Sequence, residues 1–110
     1  VVLRVRYGDI LVLLTGDIHA EVQLDLIERE SVAAHVLKVP HHGSRTSDPE
    51  FFTAVDPAIA VIQVGADNRF GHPHAEIIER LSSARILRTD LHGRVTLTSD
   101  GASIRVTTER

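Results

Sequence analysis

The stretch LKVPHHGSRTS, residues 37–47, decides how the chain is read. An apolar strand-like run stops at Pro40. Two adjacent histidines follow, then Gly43, then Ser44, Arg45, Thr46 and Ser47. A loop that only had to turn would be built from Gly, Asn, Asp or Pro. A doubled imidazole at the end of a buried strand is therefore a candidate for chemistry. The run before it, residues 34–39, reads as a strand. After it, Ser47-Asp48-Pro49-Glu50 reads as a helix start, with a capping residue, a proline in the first turn and then an acid. Phe51, Phe52 and Val55 supply that helix's apolar side.

Working outward, residues 1–7 alternate, with Val1, Leu3, Val5 and Tyr7 on one face and Arg4 and Arg6 on the solvated other. Gly8-Asp9 is a two-residue turn signal, so a hairpin leads into the apolar run 10–14. That run ends in Thr15-Gly16-Asp17 and is followed by a helix over 20–29, with Ala20, Leu24 and Ile27 facing inward. Residues 58–64 form another buried strand, 65–71 a polar loop and 73–81 a helix with Ile77, Ile78 and Leu81 inward. Residues 85–89, 95–98 and 103–107 read as strands, with His92-Gly93 and Asp100-Gly101 as turns. Buried strands alternating with amphipathic helices predict an α/β fold with parallel pairing through right-handed crossovers. In such a sheet ligands bind at the carboxyl edge of the strands. Three polar clusters fall there: residues 15–17, residues 41–44, and Asn68 with His72-Pro73-His74.

Composition sets the bounds. With 110 residues, 43% hydrophobic and 25% charged, the chain is globular and amounts to one domain or part of one. A net charge of −3 gives no global basic footprint, so nucleic acid would be held by a local patch or by metal. Cysteine is absent, which excludes disulfides and thiolate ligands. No apolar run is long enough to span a bilayer and no signal-peptide pattern occurs. Methionine is absent even at position 1, so the chain is expected to be an internal piece of a longer protein. One aspartate with several imidazoles is a ligand set suited to zinc, manganese or iron.

The segments LLTGD (residues 13–17), LKVPHHGSRTS (37–47) and VGADNRFGHPH (64–74), with LRTDLHGRVTL (87–97), resemble the second half of a metallo-β-lactamase-fold domain. More narrowly, they resemble the carboxy-terminal domain of the ComEC-type DNA-uptake proteins. The resemblance implies an αββα sandwich, residues 1–110 being its carboxy-terminal half. It also implies a metal-dependent hydrolase, a nuclease degrading the DNA strand that is not imported. It implies two zinc or manganese ions in the intact domain. The implied partners are single-stranded DNA, the upstream half of the same domain and the membrane channel portion of the protein. The implied location is the extracytoplasmic side of a bacterial inner membrane. Carried over residue by residue, Asp17 is a metal carboxylate, His41 or His42 a metal ligand or proton donor, and His72 and His74 line the site.

The family's main histidine- and aspartate-rich ligand motif belongs to the first half of the domain and does not occur here. Other readings therefore stay open: another phosphodiesterase or esterase of the same fold, or a non-catalytic DNA- or partner-binding domain. Asp17 either ligates or caps the helix after it. Ser44, Arg45, Thr46 and Ser47 either bind substrate phosphate or serve an ordinary helix-capping loop, and Asn68 is a further substrate-binding candidate. Lys38 either snorkels to the surface or points into the site as a catalytic amine. His19, His35 and His92 are expected to be structural or exposed. Adjacent strand residues point to opposite sides, so only one of His41 and His42 is expected to face the metal edge, the other packing within residues 43–47. The pair is favoured over His72 as ligand, because it follows Asp17 after a single helix; His72 is then the residue that orients or donates a proton.

Overall fold

The computed structural model describes residues 2–67 and 71–110. Strands β1 (Leu3–Tyr7) and β2 (Ile10–Leu14) form the expected hairpin, and helix α1 (Ala20–Arg29) occupies the range its periodicity predicts. Then follow β3 (Val36–Lys38), a turn at Pro40–Gly43, α2 (Pro49–Val55), β4 (Ile59–Ile62), α3 (Ala75–Arg80) and β5 (Arg85–Arg88). A short helix α4 (Thr89–His92) and the strands β6 (Val95–Ser99) and β7 (Ile104–Thr108) complete the chain. The sequence pattern gave no sign of α4: one turn of helix is too short to show a period.

The sheet has five strands in the order β1-β2-β3-β4-β5, with β1 antiparallel and the rest parallel. Chain order and sheet order coincide because each crossover helix returns the chain to the next position, as right-handed connections require. Alternation along the strands separates two faces. Leu13, Leu37, Ala60 and Ile62 face the helices, where Phe51, Phe52 and Val55 of α2 and Ile77 and Leu81 join them in the main core. Val36, Ile59 and Leu87 face the other way and pack with Val95, Leu97, Ile104 and Val106 of the β6–β7 hairpin. The class is α/β with a mixed sheet, layered helices, sheet, hairpin.

Two expectations change. Leu24 is exposed, and Gln23 takes the inward position on α1, completely buried. Asp17 does not cap α1, whose N-cap is His19, so the capping alternative drops out. By contrast, α2 starts as its sequence dictates: Pro49 opens it and Asp48 Oδ1 accepts a hydrogen bond from Glu50 N at 2.9 Å. On the hairpin side of β1 and β2, Leu3, Val5, Tyr7 and Leu14 are 42–59% exposed, while Ile10 is buried. Leu11, on the helix side, is half-buried. Val1 and Asn68 lie outside the described residues.

Candidate functional site

Three chain segments meet at the carboxyl edge of β2, β3 and β4. Backbone bonds stitch them together: His41 N donates to Gly16 O at 3.0 Å, Ala20 N to Thr46 O at 2.8 Å, and His74 N to Gly43 O at 3.0 Å. Thr15, completely buried, donates its hydroxyl proton to Lys38 O and ties the end of β2 to the end of β3.

The doubled histidine is not the end of a strand. His41 (φ 47°, ψ 46°), His42 (φ 56°, ψ 24°) and Gly43 (φ 81°) all lie in the left-handed region. For a non-glycine residue that conformation costs about 1 to 2 kcal/mol. Such strain persists only where the surroundings over-determine it. Here the stitching bonds do so, together with Pro73, which comes so near Gly43 that a Cβ there would lie 2.5 Å from the proline's own Cβ. The expected alternation of the two histidines therefore has no strand to act through. His41 Nδ1 lies 3.3 Å from Thr46 Oγ1, inside the loop, and His42 turns toward Asp17.

His42 has the more informative geometry. Its Nδ1 lies 2.6 Å from Gln63 O. A carbonyl only accepts, so Nδ1 carries the proton. In the neutral ring Nε2 is then left with its lone pair, 4.0 Å from Asp17 Oδ1. Two acceptors thus face one another across that gap. A ring held by a carbonyl through one nitrogen and offering the other is the arrangement of metal-ligating histidines.

His72 closes the cluster, its ring centroid 6.0 Å from His41 and 6.4 Å from His42, and His74 lies 5.2 Å from His72. Asp17, His42 and His72, far apart in sequence, thus come to one edge as expected. Burial first, then the imidazoles of His74, His41 and His42, hold His72 below the usual histidine range. That shift disfavours the charged ring and suits His72 to orienting a group. Lys38, half-buried, donates from Nζ to Val39 O at 3.1 Å. Its burial lowers the ammonium's pKa, and the nearby Asp17 carboxylate opposes that shift.

The remaining residues are placed as follows. Ser44 Oγ accepts from Thr46 N and Thr46 Oγ1, and Ser47 Oγ accepts from Gln23 Nε2. Both serines are buried, their hydroxyls engaged within the loop and with α1. Arg45 is exposed and pairs with Glu76 at 3.2 Å. Two open clefts flank the centre. One of 510 Å³ is lined by Arg45, Ser47, Glu76 and Arg80; the other, of 440 Å³, by His42, Gln63, Thr89 and Arg94. Of these two only the second reaches a histidine.

Sequence reasoning missed His19, whose ring stacks on His41 at 5.1 Å, 21° from parallel. The signal was its position two residues after Asp17 at a strand's carboxyl edge. It also missed Gln23, a polar residue three before Leu26 and four before Ile27 on an otherwise apolar stripe.

Asp17 and His42 fit two positions of a divalent ion's ligand set. Among the described residues no group of three His, Cys, Asp or Glu side chains could hold a metal ion. Further donors would have to come from elsewhere. No helix among the described residues is long and apolar enough to cross a membrane.

The chain is similar to ComE operon protein 3 of Bacillus subtilis, 38% identical over 98 residues that cover 86% of this chain and 13% of that protein. It is similar to Recombination protein 2 of Haemophilus influenzae, 40% identical over 81 residues, 73% of this chain and 10% of that protein. It also matches the uncharacterized protein YcaI of Escherichia coli, 29% identical over 114 residues, 99% of this chain and 15% of that protein. The chain thus spans 10–15% of the length of these relatives. No family model matches it. No solved structure matches it either.

Proposed function

We propose, from the support that its relatives give to a ComEC-type competence family, that this chain serves DNA uptake as part of a metal-dependent hydrolase domain that cuts single-stranded DNA. The carrying observation is His42, fixed through Nδ1 by Gln63 O and presenting Nε2 to Asp17. In this reading Asp17 and His42 hold one side of a zinc or manganese ion, one of two in an intact metallo-β-lactamase-like αββα domain. Its other donors come from an upstream half. Such an ion, when bound, supplies hydroxide near neutral pH and polarises a phosphoryl oxygen. His41 braces the loop, and His72 and His74 orient the scissile phosphate. Lys38, whose Nζ is held by Val39 O, places its charge near the Asp17 carboxylate. Arg45 on one flank and Arg94 on the other line clefts open enough for an extended polyanion. The domain belongs, in this proposal, to the extracytoplasmic side of an inner-membrane channel protein.

The test uses the full-length protein and measures bound zinc and manganese together with hydrolysis of single-stranded DNA. Asp17→Ala and His42→Ala each lose an ion and turnover. His72→Ala keeps the metal and slows turnover by about 10²- to 10⁴-fold, as loss of a group aiding proton transfer does. If His41→Ala and His42→Ala leave the metal content intact while His72→Ala removes an ion, the roles are reversed. The second reading, a domain that binds DNA or a partner without cutting it, is decided by the same measurement. DNA binding without metal or hydrolysis in the wild type selects that reading.

A further inference from the structure

Among the described residues the buried polar or charged side chains are Thr15, Gln23, Ser44 and Ser47. All four sit in the two segments that carry Asp17 and the doubled histidine, or directly between them. Gln23 is the longest of them and completely buried. Its Nε2 donates to Ile18 O and to Ser47 Oγ, each at 3.0 Å, and its Oε1 accepts from Asp48 N at 2.8 Å. Both amide hydrogens and the carbonyl are engaged. The orientation is chemically forced, because Ile18 offers only an acceptor and Asp48 N only a donor. Gln23 thus clamps residue 18, next to Asp17 and His19, to residues 47 and 48. Thr46, next to the second clamp point, bonds Ala20 N through its carbonyl and contacts His41 through its hydroxyl.

We infer that Gln23 is a positioning residue that sets the spacing between the Asp17–His19 segment and the left-handed His41–His42 turn. This rests on the metal-site reading above only for its consequence, not for its geometry. An apolar side chain of the same size would fill the space, so the cost of a glutamine there is not explained by packing. A buried amide satisfied at three points holds two backbone segments in one register, which a methionine cannot.

The experiment compares Gln23→Met, Ser47→Ala and, as a core truncation away from the clamp, Val55→Ala in the full-length protein. Manganese and zinc alone are titrated well below each variant's unfolding temperature, and the imidazole nitrogens of His41 and His42 are followed by NMR. Gln23→Met weakens metal binding by about 10- to 100-fold and Ser47→Ala by about 3- to 10-fold, while Val55→Ala stays within about twofold, the range expected when the support of a ligand is lost or kept. Gln23→Met also shifts the His41 Nδ1 signal, because Thr46, which His41 contacts, adjoins the clamp. Should it fail to fold, Ser47→Ala decides alone. If the wild type binds neither ion, the metal reading fails and the imidazole spectra decide: altered His41 and His42 signals uphold the clamp. A folded Gln23→Met or Ser47→Ala variant with wild-type spectra and, where metal binds, wild-type affinity overturns it.

Discussion

The carboxyl edge of β2–β4 and the outer strands β1–β2 belong to one sheet but are built by different rules. At the edge, polar side chains are buried and satisfied, two histidines accept left-handed backbone, and a glycine is pressed against a proline. Among the described residues no buried side-chain nitrogen or oxygen lacks a partner. On the outer strands large apolar side chains stand in solvent, and β1 is exposed on both faces. The edge is over-determined because groups from three segments must keep their distances there. The outer strands need only complete a hairpin, so their side chains are lightly constrained.

That contrast can be broken at its largest point first. Phe51→Ala, which empties a fully buried position of the helix-facing core, should cost about 3 to 5 kcal/mol by denaturant unfolding. Tyr7→Ala on the outer strand should stay within about 0.5 kcal/mol. Equal effects would mean that the core beneath the edge is held no more tightly than the outer strands.

A sharper comparison uses glycines. Gly43→Ala imposes a side chain on a positive φ and drives its Cβ onto Pro73, for an expected loss of about 2 to 4 kcal/mol from backbone strain and overpacking together. At Gly65 an added Cβ meets nothing within 4 Å, and Gly65→Ala should shift thermal unfolding little. A tolerated Gly43→Ala would show that the histidine turn is looser than its contacts imply.

Smaller effects follow. Asp48→Ala removes the side-chain acceptor at the start of α2 and should cost about 1 kcal/mol in chemical denaturation. Loss of nothing would indicate that Gln23 and Pro49 hold that helix start unaided. The smallest effect concerns pH. Arg88 bonds Asp90 through Nε at 3.0 Å and Nη2 at 2.6 Å, and this pairing, above all the hydrogen bond, holds the Asp90 carboxyl below the usual range. Because the folded value is the lower one, the pair's contribution is present above the unfolded pKa of about 3.9 and fades as pH falls through the folded value. Asp90→Asn should therefore be less stable at pH 7 and show a shallower acid decline below about pH 4. Parallel pH profiles for the two proteins would remove the pair from the stability account.

The sequence by itself determined the α/β class, the range of α1, the start of α2, the hairpin at Gly8-Asp9 and the gathering of Asp17, His42 and His72 at one edge. These are local signals, or follow from one topological rule: a 3.6-residue or two-residue period, a cap beside a proline, and the handedness of crossovers. Only the tertiary structure decided that His41 and His42 sit in left-handed backbone, that His42 is fixed by the carbonyl of Gln63, that His19 stacks on His41, and that Gln23 is buried where Leu24 was expected. Each of these depends on a partner far along the chain. No local propensity encodes such a partner, and a costly conformation such as that turn becomes the favourable one only once distant segments are in place to hold it.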